Sequence, residues 1–190
     1  MHTKELLNKI NELQKQKEYI VIVIEGGSAS GKTTLAKNLK ETFNCTVLHM
    51  DDFFLRPEQR TKERLAQPGG NVDRERFYEE VVIPLVNRET IVYRPFDCAT
   101  MSLQSARKIE PDKIIVVEGA YSTHPELGEY YDLSVFLDIA PELQQERIWK
   151  RNTPDKAERF FTQWIPMEQK YFEAMRVKER CDMILPVEEK

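Results

Sequence analysis

Residues 19–34 read Tyr-Ile-Val-Ile-Val-Ile-Glu-Gly-Gly-Ser-Ala-Ser-Gly-Lys-Thr-Thr, and no other stretch restricts the fold as tightly. The uninterrupted apolar and aromatic run from Tyr19 to Ile24 predicts a strand buried on both faces, in the middle of a parallel sheet. The chain then turns through Gly26, Gly27 and Gly31 and enters a helical pattern in which Leu35, Leu39 and Phe43 recur. Gly26-x-x-x-x-Gly31-Lys32-Thr33 has the residue types, spacing and strand-to-helix context of a phosphate-binding loop. Glycines let the backbone curl so that successive N–H groups face phosphate oxygens, and the following helix points its positive end at the same anion. The candidates for binding a nucleoside triphosphate are therefore Gly26, Gly27, Ser28, Ala29, Ser30, Gly31, Lys32, Thr33 and Thr34, with ATP and Mg²⁺ the expected cofactors and ATP against GTP left open by the sequence. Lys32 would neutralise the β- and γ-phosphates, and the Thr33 hydroxyl would ligate Mg²⁺.

Composition narrows the partners. A chain of 190 residues is long enough for one domain with a substantial core, and 41% hydrophobic with 32% charged residues suits a globular protein. A net charge of −4 argues against nucleic acid as a partner. No apolar run is long enough to span a bilayer, and Met-His-Thr-Lys-Glu lacks the apolar core of a secretory signal, so neither membrane nor export is expected. Cys45, Cys98 and Cys181 show no metal-ligand spacing and read as reduced thiols of a cytoplasmic protein. The sequence leaves the oligomeric state open and allows a homo-oligomer.

Along the chain, residues 3–18 predict a polar helix with Leu6, Ile10 and Leu13 on one side. Cys45 to Met50 reads as a second strand that delivers Asp51, Asp52, Phe53 and Phe54 to its carboxyl end, where open parallel sheets bind ligands. Turn capping is the ordinary alternative for those acids. Residues 55–72 read as a long polar loop, of the kind that is usually functional or mobile, and 73–86 as a helix whose last turn Pro84 disturbs. Ile91–Tyr93 is a short strand that leaves into an irregular segment, Arg94 to Thr100. Lys113–Gly119 and Asp132–Ile139 read as buried strands, and the helix after Pro141 carries Arg147, Lys150 and Arg151 on one face. A helix over 155–178, interrupted at Pro166, presents Trp164, Met167, Tyr171 and Met175 as a core stripe, and Cys181 to Leu185 closes the sheet. Alternating strands and helices predict an α/β fold of the P-loop NTPase type: three layers, α/β/α, a mainly parallel sheet and a short lid. The expected organisation is a single kinase-like domain over 1–190, with an acceptor-binding subregion at 55–104 and a lid at 141–160.

Phosphoryl transfer needs a metal, a group that positions or deprotonates the acceptor, and cations for the transferred charge. Thr33, Glu118 and Asp51 are the metal candidates. Asp138 is the rival strand-end acid, ranked below Glu118 because Gly119 allows close backbone approach. Asp51 is the candidate base, and Lys32, Glu118, Arg147 and Arg151 complete the catalytic set, the arginines acting from the lid.

These motifs together resemble a known group. Glu25 to Thr34 is similar to the phosphate loop of uridine kinases, and Met50-Asp-Asp-Phe-Phe54 to the strand end of nicotinamide riboside kinases. Asn71-Val-Asp73, Arg94 to Cys98, Val116 to Tyr121 and Val135 to Asp138 follow in the order of the phosphoribulokinase/uridine kinase superfamily. The resemblance spans about residues 19–185. It implies a small-molecule kinase in which Asp51 takes the acceptor's proton, Asp73 bonds ribose hydroxyls, Glu118 sits near the metal, and Arg147 and Arg151 serve the lid. It also implies an acceptor pocket built from Asp51, Phe54, Asp73, Arg94 and Phe96. Met101 departs from the pattern, standing where a pyrimidine-contacting histidine is expected. The expected acceptor is a nucleoside-like alcohol phosphorylated on a primary hydroxyl. The alternatives are another acceptor (nicotinamide riboside, pantothenate or glycerate) or a nucleotide-dependent regulatory module.

Overall fold

In the computed structural model, which describes residues 2–188, helix α1 (His2–Gln16) lays Leu6 and Ile10 into the core at one edge of the sheet. Strand β1 (Ile20–Gly26) runs two residues beyond the apolar stretch and takes Glu25 with it into the interior. Helix α2 (Lys32–Phe43) follows the loop and ends at Asn44, whose left-handed backbone lets its N–H reach Lys40 O. Strand β2 (Thr46–His49) then passes into a 3₁₀ turn, Met50–Phe53, which carries the Asp51–Asp52 pair.

The polar stretch 55–72 is not structureless. It holds a short turn, Pro57–Gln59, and the one-turn helix α3 (Lys62–Leu65), capped by Thr61. The helix expected over 73–86 is three pieces: α4 (Arg74–Phe77), a π turn over Tyr78–Val82, and α5 (Ile83–Asn87). Pro84 sits at the start of α5, where the wider turn before it removes the demand for an N–H that proline lacks. Strand β3 (Ile91–Tyr93) pairs antiparallel with β6 (Arg107–Ile109). Between them, β4 (Phe96–Asp97) pairs with β5 (Ser102–Leu103), so the expected irregular segment is the arm of a small hairpin.

Strands β7 (Ile114–Glu118) and β8 (Leu133–Ile139) are the inner neighbours of β1. Beyond them come α6 (Pro141–Arg151), α7 (Pro154–Arg159), a second π turn at Phe160–Trp164, α8 (Ile165–Ala174), α9 (Val177–Arg180) and β9 (Met183–Val187). The closing strand starts two residues later than expected. Asp182 instead turns its carboxylate onto the Ser134 N–H and hydroxyl, at 2.8 and 2.7 Å.

The main sheet has five strands in the order β2-β7-β1-β8-β9, all parallel. Ile22 pairs with Val116 on one side and Leu133 on the other, so the β1 residues alternate between two cores. Ile22 and Ile24 meet Leu6, Ile10, Ala36 and Leu39 on one face. Val23 meets Phe53, Phe77, Val81 and Tyr171 on the other. This is the expected three-layer α/β/α arrangement. Connections leave β1 toward β2 and β7 on one side and reach β8 and β9 on the other, so the crevice of the sheet opens at the carboxyl end of β1.

Gly119 keeps that crevice narrow, because a Cβ there would lie 2.6 Å from Met50 Cβ and its φ is +142°. Gly119→Ala should therefore destabilise the protein by about 1–3 kcal/mol, the usual cost of forcing an extra methyl into packed surroundings. The midpoint of chemical denaturation measures it.

Candidate active site

The loop after β1 is shaped by backbone sterics. Gly26 has φ +140°, and a Cβ on it would stand 2.7 Å from Leu137 O on β8, so only glycine lets the loop start this close to its neighbour. Ala29 (φ 62°) and Gly31 (φ 100°) complete the curl. No side chain among the described residues caps the first turn of α2, so its N–H groups are open to an anion. Lys32 Nζ lies across the loop and donates to Gly26 O at 2.8 Å and Gly27 O at 3.0 Å.

Two strand ends bring acids to this cradle. Glu118, at the end of β7, accepts from the Thr33 hydroxyl at 3.0 Å, and His49 Nδ1 lies 2.7 Å from the same oxygen, Oε1. Burial works to raise the Glu118 carboxyl, but the His49 hydrogen bond and charge, aided by Lys32 and Thr33, outweigh it and hold the pKa below the usual value. The same hydrogen bond pushes His49 up. Asp51, just past β2, lines the cleft and forms no side-chain hydrogen bond among the described residues. Solvent reaches Asp51 through the cleft mouth, yet protein surrounds it closely, and this burial raises its carboxyl pKa. Lys32 opposes that rise and Glu118 adds to it. Asp52 turns away and accepts from Tyr93 OH at 2.8 Å and Arg107 at 3.3 Å. The Thr33 hydroxyl and the Glu118 carboxylate form an oxygen-only set that suits a hard divalent cation such as Mg²⁺, which needs few protein ligands once it also holds phosphates.

The cleft around these groups encloses about 1600 Å³. Lys32, Arg60, Arg147, Lys150, Arg151, Lys156 and Arg159 line it, against the carboxylates of Asp51, Glu118, Glu168 and Glu188. A chain of net charge −4 thus has a basic cleft, as a polyanion site requires. Helices α6 and α8 also grip the loop. Glu168 on α8 accepts from Ser28 N and Oγ at 2.8 and 2.7 Å, Gln144 on α6 donates to Ser28 O at 2.8 Å, and Arg147 to Ala29 O at 3.3 Å.

Residues 21–164 match the family model described as "Phosphoribulokinase / Uridine kinase family". This chain belongs to that family. A uridine kinase of Chlamydia pneumoniae is 29% identical over 181 residues, covering 83% of this chain and 78% of that protein. Human nicotinamide riboside kinase 1 is 30% identical over 169 residues, covering 82% of this chain and 78% of its own length. A solved structure described as a possible uridine kinase from Bacillus stearothermophilus superposes with a TM-score of 0.67 at 23% identity, over 95% of this chain and 99% of that one. This last likeness bears on the fold alone. Membership makes the chain a small-molecule kinase, and a family of kinases implies ATP with a metal ion. No helix among the described residues is long and apolar enough to cross a membrane.

The cleft gathers Ser28, Ala29, Ser30, Gly31, Lys32, Thr33, Thr34, Asp51, Phe54, Glu118, Arg147 and Arg151. Gly26 and Gly27 do not line it, and their carbonyls hold Lys32. Asp138 is paired with Lys178 at 2.7 Å and does not line the cleft. Three of the expected acceptor residues lie outside the wall. Asp73 caps α4 through Arg76 N and accepts from Gln59 at 2.8 Å. Arg94 ties down the hairpin through Gln104 O at 2.7 Å and Leu103 O at 3.1 Å. Phe96 is buried in the hairpin's base.

Sequence reasoning missed His49, Arg60, Lys156, Arg159 and Glu168. Trp164 and Met167, read as core, are half-buried and line the cleft; Tyr171 alone of that stripe is wholly buried. The overlooked signal was Glu168 itself, an acid three residues before Tyr171 on an otherwise apolar helix face.

Glu25, wholly buried under the loop, accepts from Thr123 N at 2.9 Å and from Tyr171 OH at 3.0 Å. Burial raises its carboxyl above the ordinary 4.5, although these donors and Lys32 pull the other way. A carboxyl with a raised folded pKa favours the folded state when protonated, and that contribution is lost as pH rises from the unfolded pKa through the folded one. Glu25→Gln retains an acceptor oxygen without ionising. Its stability relative to the unmodified protein should therefore grow as pH rises above the ordinary carboxyl value of 4.5 in denaturation curves. A pH-independent difference would remove Glu25 from this role.

Proposed function

We propose that this kinase transfers the γ-phosphate of ATP, with Mg²⁺, to a primary hydroxyl of a small molecule, the 5′-hydroxyl of a nucleoside. We place it in the cytoplasm, where its three free cysteines stay reduced. The observation that carries the reading is Asp51: a carboxylate with no hydrogen bond among the described residues, in the same cleft as the loop amides and Lys32. Its raised pKa brings its basicity nearer to neutral pH, which suits a group that accepts a proton from an alcohol. Lys32 would exchange the carbonyls of Gly26 and Gly27 for phosphate oxygens, and Arg147 and Arg151 would clamp the transferred group from the lid. Thr33 and Glu118 would hold Mg²⁺, which when bound neutralises phosphate charge. The nucleoside is supported by relatives named for uridine and nicotinamide riboside, and by the aromatic walls Phe54 and Tyr121. An acceptor-side cavity with its own carboxylate has no use in a regulatory module that only hydrolyses nucleotide.

Incubation with ATP, Mg²⁺ and a nucleoside panel, read by mass spectrometry, should yield ADP and a nucleoside monophosphate in equal amounts. ADP without a phosphorylated acceptor would overturn the reading. Asp51→Asn should lower turnover by about 10²–10⁴-fold while ATP binding persists, the usual worth of a general base. Arg147→Ala and Arg151→Ala should reduce kcat more than ATP affinity; equal losses would make them simple binding residues.

A further inference from the structure

On the acceptor side, Asp51, Phe54, Cys98 and Met101 line the cleft together with Arg60. Arg60 differs from Arg56, Arg64, Arg74, Arg76 and Arg107. Arg64 holds Glu75 in a fork at 2.6 and 2.7 Å, Arg74 reaches Glu126 at 2.5 Å, and Arg76 reaches Glu80 at 3.2 Å. Arg56 lies 3.4 Å from Glu58, and Arg107 lies 3.3 Å from Asp52. Arg60 has no carboxylate partner among the described residues. Its one hydrogen bond there runs from Nε to Leu55 O at 2.9 Å, and its guanidinium sits 5.7 Å from the centroid of the Phe96 ring. The side chain is thus tethered by Nε beside an aromatic face, while both terminal nitrogens lack an acceptor among the described residues. Arginine is always charged and donates through a rigid fork suited to paired oxygen lone pairs.

The geometry points to Arg60 as the specificity residue for the end of the acceptor remote from its reacting hydroxyl. It selects an end that presents oxygen lone pairs, either a carbonyl edge or a carboxylate, and it rejects a cationic ring. The chemistry of the fork is the same for both oxygen sources, and like-charge repulsion supplies the rejection. Met101, the apolar neighbour on this side, offers no competing polar group. The inference rests on the kinase reading above. It also separates this chain from its nicotinamide riboside kinase relative, because that relative's named acceptor carries a pyridinium cation.

Steady-state kinetics with uridine, D-glycerate, pantothenate and nicotinamide riboside, in the unmodified chain and in Arg60→Gln, Arg60→Glu and Arg60→Lys, test it. Uridine or one of the two acids should exceed nicotinamide riboside in kcat/KM, and whichever leads identifies the oxygen source. Arg60→Gln should raise KM for that acceptor about ten- to hundred-fold, the worth of a charge-assisted hydrogen bond, with KM for ATP unchanged. Arg60→Glu should narrow or reverse the margin over nicotinamide riboside, and Arg60→Lys should recover part of the loss. The side chain is exposed, so thermal melting should stay at the unmodified value and exclude a folding defect. Preference for nicotinamide riboside, or an equal rise in the ATP KM, overturns the assignment. If the unmodified chain phosphorylates none of the four and only hydrolyses ATP, the kinase reading itself fails and Arg60's role falls with it.

Discussion

The close approach of Gly26 to the carbonyl of Leu137 is the contact on which the remaining geometry depends. A backbone this near the neighbouring strand turns the loop back over the end of β1 and aims the first turn of α2 into the crevice. That crevice lies where connections diverge to either side of the sheet, so it is bounded by the ends of β7 and β2 without further design. Glu118 and Asp51 arrive there because a parallel sheet sends all its carboxyl ends the same way. One steric fact about a single glycine thereby organises a cation, two carboxylates and a helix terminus around one volume.

Charge is distributed unevenly as a result. The chain is acidic overall, but its cleft is basic, and the surplus comes from α6 and α7 rather than from the sheet. The sheet end contributes mostly acids, each held differently. Glu118 is kept ionised by His49, Asp51 is pushed toward protonation by its surroundings, and Asp52 is consumed by Tyr93 and Arg107. Neighbours in sequence thus have unlike chemistry, set by which way each side chain leaves a 3₁₀ turn.

Much of this was legible in the chain. Tyr19 to Ile24 announced a central strand, and the glycine spacing announced the loop, because both depend on local chemistry and periodicity. The acids at strand ends were legible for the same reason: a strand's direction fixes where its last residue lies. What stayed hidden required knowing which segments meet across long separations. Asp73 looked available, yet Gln59 and Arg76 occupy its oxygens. Arg60 looked like one charge among many until the carboxylate partners of its neighbours were visible. Glu168 was masked by the apolar residues that share its helix face, since its partner Ser28 lies 140 positions away.

Among the described residues, two π turns, at Tyr78–Val82 and Phe160–Trp164, each end two residues before a proline. A π turn takes one more residue per hydrogen-bonded ring than an α turn, and each residue advances a helix by about 100°. The second one therefore resets the phase of everything after it. Absorbing one extra residue there leaves Tyr171 facing the sheet and Glu168 facing Ser28. A regular helix over the same residues would turn that carboxylate to another quarter, so this local irregularity works as an angular spacer between α8 and the loop.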